Sequence, residues 1–270
     1  MTDLIDRREG RHLFGHNARG YGDARPEYPE AIYRFLIEHG ALAPNTATLE
    51  IGAGNGLATR RLIERGANPI TVVEPDARFG PLLRELASSG ADLRVVPRAF
   101  EETQFPPRTF DLVAAATSFH WLDRTTALAR IADVLKPGGY IALWWNVFQI
   151  LDRADAFHEA TRSILENLAV SPSGAPDTIP FALDRSAREA DFVSCGRFGD
   201  VNYAETRWTF VLDTAHVGKL YEGFSHIQRL PEARRMRLLE QLMDVAQTQF
   251  GGRVERNVTS PIYLARRKDP

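Results

Sequence analysis

The run Leu49-Glu50-Ile51-Gly52-Ala53-Gly54-Asn55-Gly56 sets three glycines at alternate positions, where an apolar stretch gives way to an amphipathic one. Glycines at such a strand-to-helix turn let the backbone approach a ligand and leave helix N-terminal amides exposed. Dinucleotide-binding loops place glycines at relative positions one, three and six. Here they fall at one, three and five, with Leu57 at six. Glu74 closes the next apolar stretch about 20 residues after Gly52, where a carboxylate would bridge ribose hydroxyls. A second cluster, Ala116-Thr117-Ser118-Phe119-His120-Trp121, follows another apolar run. His120 is able to titrate near neutral pH, so it could orient or deprotonate a substrate, or it could merely fix its own loop by hydrogen bonding.

These groups need a scaffold that brings strand ends together. From residue 46 onward short apolar runs alternate with amphipathic segments, the pattern of repeated strand–helix units in a parallel sheet with right-handed crossovers. The pattern predicts strands at 47–51, 70–74, 93–97, 110–116 and 140–148. Helices are expected at 57–65, from Gly80-Pro81 onward, and at 125–135, the last stopped by Lys136-Pro137-Gly138-Gly139. A further helix is expected at 29–39 before the core. After it come a helix at 153–168, a Pro/Ser/Gly-rich loop at 171–180, strands at 201–213 and 257–266, and a helix at 230–250. The domain expectation is one compact unit. Residues 1–45 form an N-terminal flap and helix, 46–148 the cofactor-binding core, 149–200 a helical cap insertion, and 201–270 the last two strands with intervening cap helices.

Composition narrows the function classes. Lys and Arg total 33 against 35 Asp and Glu, a formal charge of -2, which argues against a nucleic-acid binder. The single cysteine, Cys195, excludes an internal disulfide and leaves no Cys cluster for zinc. The charged start has no apolar segment of signal-peptide type, and the most apolar run, at 140–151, is too short to span a bilayer. A cytoplasmic protein is expected, monomeric or homodimeric, without a metal, membrane or nucleic-acid partner.

Glu50-x-Gly52-x-Gly54-x-Gly56, Glu74 and Leu135-Lys136-Pro137-Gly138-Gly139 together resemble the class I S-adenosylmethionine (SAM)-dependent methyltransferases, strongly over 46–146. The resemblance implies a Rossmann-like α/β fold. Its seven-stranded sheet is mostly parallel with an antiparallel last strand, and helices cover both faces. It also implies SAM on the glycine loop, with its ribose on the acid ending the second strand. The cofactor contacts carried over on this basis are Tyr21, Arg25, Glu50, Gly52, Ala53, Gly54, Gly56, Glu74, Pro75, Ala99, Phe100 and Thr117. Ala99 stands where many relatives have an aspartate for the adenine amino group; Glu101 is a substitute candidate, and Phe100 could lie against the adenine face.

His120-Trp121, with the opening Phe14-x6-Tyr21-x3-Arg25-Pro26-x-Tyr28-Pro29, is similar to trans-aconitate methyltransferases and related small-acid enzymes. That subset closes its N-terminal segment over the cofactor. Arg25 matches a carboxylate and could hold that of SAM, or form a surface ion pair. Trp144 and Trp145 must point to opposite faces, so at most one reaches the site. Asn146 could donate to the acceptor or merely end the strand, and Tyr221, Phe224 and His226 read best as core packing. The expected activity is methyl transfer from SAM to a small molecule, at an oxygen of a carboxylate or hydroxyl, with His120 the side chain facing the acceptor. C- or N-methylation of another metabolite, or SAM binding without turnover, are the rival readings. A nicotinamide-dependent oxidoreductase is disfavoured by Leu57 in place of the third fingerprint glycine.

Overall fold

The computed structural model describes residues 4–17, 25–153, 155–174 and 178–269. Five strands alternate with helices in the order expected. They are β1 (Thr46–Ile51), β2 (Ala67–Val73), β3 (Leu93–Val96), β4 (Phe110–Ala116) and β5 (Leu135–Trp144). The short polar helix α1 (Arg7–Arg11) comes first, and α2 (Glu30–Glu38), α3 (Leu57–Glu64), α4 (Gly80–Leu86) and α5 (Arg124–Val134) lay their apolar stripes on the sheet. The chain continues with α6 (Ala156–Leu165), α7 (Arg185–Cys195), β6 (Phe198–Asp213), α8 (Thr214–Glu222), α9 (Ser225–Gln228), α10 (Glu232–Phe250) and β7 (Arg253–Arg267).

The seven strands form one sheet in the order β3-β2-β1-β4-β5-β7-β6. β1 to β5 pair in parallel, β7 runs antiparallel to β5, and β6 runs antiparallel to β7. Strand order therefore reverses between β1 and β4, and the crevice at such a switch point is where open α/β sheets bind ligands. The central strands are buried on both faces: Leu49, Val113, Ile141 and Leu143 pack under one layer of helices, and Ile70, Leu112, Ala114 and Trp144 under the other.

Several bounds differ from the sequence pattern: β2 starts at Ala67, β5 ends at Trp144 and β7 starts at Arg253, and two differences are larger. β5 starts at Leu135 rather than at Tyr140, because Lys136 to Gly139 form a bulge where Leu135 pairs with Phe110 and Tyr140 with Leu112. Gly138 takes φ +72° there, and its carbonyl accepts a bond from Arg266 Nε. The segment 149–200 also divides. α6 joins α8, α9 and α10 around Phe157, Leu220, Leu242 and Val254, forming a cap. α7 instead lies beside α5, tied by Arg124 to Asp191, with Phe192 in the sheet core. An amphipathic pattern fixes which helix face is buried, but not against which surface.

Candidate active site

A cavity of about 1270 Å³ opens above the C-terminal ends of β1, β2, β4 and β5. That exceeds the ~300–1,000 Å³ of a typical pocket for one small ligand, leaving room for two. Arg25, Glu50, Gly52, Ala53, Gly54, Glu74, Pro75, Ala99, Phe100, Thr117 and His120 all line it. Gly56 does not: with φ +83° it caps α3, and a Cβ there would lie 2.6 Å from Leu86. Tyr21 lies outside the described residues.

The glycine loop is shaped by two separate demands. A Cβ on Gly52 would stand 2.6 Å from the Cβ of Ser118, so the loop has no room for a side chain against the end of β4. Gly54, at φ +54°, faces open space, with nothing within 4 Å of where a Cβ would stand. Its amide donates to Glu74 Oε2 at 2.8 Å, and the Asp76 amide donates to Oε1 at 2.9 Å. Burial nonetheless pushes the Glu74 carboxyl up to about 7. Glu50 is buried in β1, accepts from Thr59 Oγ1 at 2.6 Å, and is pushed up to about 8, chiefly by burial. Bare glycine backbone beside a carboxylate fits a nucleoside cofactor whose ribose presents two hydroxyls.

The N-terminal segment closes one side of this cavity. Gly10 packs so tightly on Trp121 that a Cβ would fall 2.0 Å from the indole, and Phe14 meets the same ring edge-on at 6.0 Å. Arg11 forms a two-pronged pair with Glu101 at 2.6 and 3.0 Å and donates to the Trp121 carbonyl at 2.6 Å. Glu101, the substitute candidate for the adenine amino group, is thus engaged by Arg11. Phe100 is buried, with the Arg130 guanidinium 5.4 Å from its ring centre. Nothing in the spacing of Arg11 marked it for this role; only the fold brings residue 11 beside residue 101.

Thr117 is the strained point of the loop after β4. Its φ of +53° is rare for a β-branched residue and is held by the Trp144 carbonyl and the Tyr28 hydroxyl, 2.8 Å from Oγ1. The turn delivers His120 to the floor of the cavity. Trp145 Nε1 donates to His120 Nδ1 at 3.1 Å. An indole nitrogen only donates, so Nδ1 is the acceptor and the ring proton sits on Nε2. Burial, reinforced by the Arg25 and Arg7 charges, lowers the His120 pKa to about 3. Trp144 points the other way, edge-on to Tyr28 and Tyr33 beneath α2.

Arg25 lies between this floor and the cap. It donates to the Gly223 carbonyl at 2.9 Å and stands 5.5 Å from the Phe224 ring centre. His226 stacks on Phe224, and burial lowers its pKa to about 4. Asn146 instead ties the chain together, donating to the Pro26 and Glu27 carbonyls and accepting from Ser260. In the cap wall Arg256 pairs with Asp155 at 2.9 Å and also donates to Tyr221, and all three line the cavity. Burial opposes the Asp155 charge, but Arg256 and two backbone donors outweigh it and keep that pKa below the usual range. Among the described residues no group of His, Cys, Asp and Glu could hold a metal, and no helix is long and apolar enough to cross a membrane.

Residues 49–143 match the family model described as a methyltransferase domain. An uncharacterized methyltransferase-like protein of Schizosaccharomyces pombe is 27% identical over 250 residues, covering 92% of this chain and 90% of the relative. An uncharacterized methyltransferase of Mycobacterium tuberculosis is 33% identical over 140 residues, 52% of this chain and 54% of its own. Among solved structures, a Haemonchus contortus phosphoethanolamine N-methyltransferase shares the fold with a TM-score of 0.60 at 15% identity. It covers 98% of this chain and 61% of that one, and was solved with phosphomonomethylethanolamine and S-adenosylhomocysteine. Strand order and the match over residues 49–143 converge: the chain carries a methyltransferase domain of the SAM-dependent kind.

Proposed function

We propose that this methyltransferase acts on a small molecule and methylates a carboxylate oxygen, with a hydroxyl oxygen as the lesser alternative. The carrying observation is the bond from Trp145 to His120, which makes His120 a fixed hydrogen-bond donor rather than a base. Bound SAM supplies a methyl group already activated on a sulfonium. What remains for the protein is alignment and exclusion of water.

Glu74 and the Gly52–Gly54 backbone suit the ribose and the adjoining chain of the cofactor, and Ala99 and Phe100 the adenine end. The polar groups at His120 are its own Nε2–H and the Arg25 guanidinium, whose charge helps to lower the His120 pKa, while the Trp145 N–H is engaged by Nδ1. A hydroxyl would have to lose its proton to a base, whereas a carboxylate arrives ready to attack. Arg25 supports the same reading, because a guanidinium against the cap matches a carboxylate on the acceptor as well as one on the cofactor.

The test is incubation with methyl-labelled SAM and a panel of small carboxylic acids, phenols and amines. Label recovered in base-labile esters supports the assignment. Label confined to ethers, amines or carbon would remove it.

A further inference from the structure

The cavity does not end at His120. From that floor two chain segments lead outward, and both become apolar and exposed where they reach solvent. One begins at Trp145, which touches His120, and runs through Ile150, 5% exposed, to Leu151, 51% exposed. The other begins at Phe181, 6.1 Å from the His120 ring and 5.9 Å from that of Trp145, and ends two residues earlier at Ile179, 57% exposed. Leu168 and Val170 line the same cavity from the end of α6.

Single exposed leucines need no explanation, but Leu151 and Ile179 are exposed and also line one cavity, and apolar surface of that kind marks a place meant to be covered. Two of the carboxylates on this side are matched, Asp152 by Arg207 at 3.0 Å and Glu159 by Arg162 at 3.0 Å, and Arg153 and Glu166 carry opposite charges. The rim therefore offers an entering molecule apolar contact more than a net charge. The cavity volume also exceeds that of a single small ligand.

We propose that the acceptor is amphipathic: an acid whose head lies at His120 and whose extended apolar chain leaves the cavity between Leu151 and Ile179. Its head group rests on the carboxylate reading above; its chain does not.

The experiment separates the two parts. Binding of straight-chain carboxylic acids, from butanoic to dodecanoic, and of the matching alcohols is measured by calorimetry on protein saturated with S-adenosylhomocysteine. Affinity is expected to rise by about two- to fourfold per methylene in both series. The Leu151→Glu/Ile179→Glu double variant is expected to flatten that slope while still binding S-adenosylhomocysteine, which reports that it is folded. Affinity independent of chain length overturns the proposal. A slope that the double variant leaves intact, or a double variant that changes only the oligomeric state, overturns the assignment of the mouth. Methyl ester formation from the same acids with SAM is scored separately, so loss of the carboxylate reading would show there without touching the chain-length result.

Discussion

Trp145 donates its indole N–H to Nδ1 of His120 across 3.1 Å, and this one bond decides which chemistry the imidazole can perform. With Nδ1 occupied as an acceptor and the proton on Nε2, the ring has no lone pair left for the substrate.

Glutamine can imitate that state, because its amide oxygen can accept from Trp145 while its NH2 donates to the acceptor. His120→Gln is therefore expected to stay within about tenfold of wild-type kcat, whereas His120→Ala loses about a hundredfold or more, the scale of a lost transition-state donor. Equal loss in both variants would show that proton abstraction is required. The His120 ring signal in NMR should stay neutral from pH 8 down to about pH 4, consistent with its pKa near 3.

Glu74 receives two backbone amides and faces the cavity. Hydrogen bonds from cofactor hydroxyls to a carboxylate contribute about 1.5–3 kcal/mol. Glu74→Ala is expected to weaken S-adenosylhomocysteine binding roughly 10- to 100-fold by calorimetry, with kcat at saturating SAM much less affected. Unchanged affinity would move the ribose elsewhere.

Glu50 makes stability depend on pH. Its carboxyl titrates near 8 in the fold and near 4.5 in the unfolded chain, so the folded state binds the extra proton between those values. The stabilisation it provides is present below about pH 4.5 and is lost as pH rises through about 8. Glu50→Gln keeps the Thr59 bond and removes this titration. At pH 9 the variant is expected to be more stable than wild type, on the order of 2–4 kcal/mol, and near parity at pH 5. Glu74, which titrates near 7, leaves a smaller residual slope in melting curves.

Arg11 latches the N-terminal segment to Glu101 and to the Trp121 carbonyl. Arg11→Ala should raise the dissociation rate of S-adenosylhomocysteine about 5- to 50-fold in stopped flow and expose the segment around Gly10 to limited proteolysis. A dissociation rate equal to wild type would show that this contact does not gate the cofactor.

Arg25→Ala distinguishes two assignments of that guanidinium, to a carboxylate of the acceptor or to that of the cofactor. If it serves the acceptor, Arg25→Ala raises the acceptor KM at least tenfold and leaves SAM affinity within about threefold. The opposite split would assign it to the methionine end of the cofactor.

The glycine loop, Glu74 and the strand rhythm were legible in the sequence because they are local. A turn needing bare backbone, an acid ending the next strand and a period of apolar runs each occupy a few consecutive residues. Even the opposite facing of Trp144 and Trp145 follows from the twofold alternation of a strand. Arg11 beside Glu101, Trp145 beneath His120, and α7 lying against α5 rather than over the cavity were not legible. Each joins residues far apart in the chain, and no spacing rule encodes which helix face meets which surface. The sequence by itself determined the cofactor half and the number and kind of strands. The tertiary structure alone decided the tautomer of the histidine, since its protonation is fixed by the burial and the indole that the folded sheet places beside it.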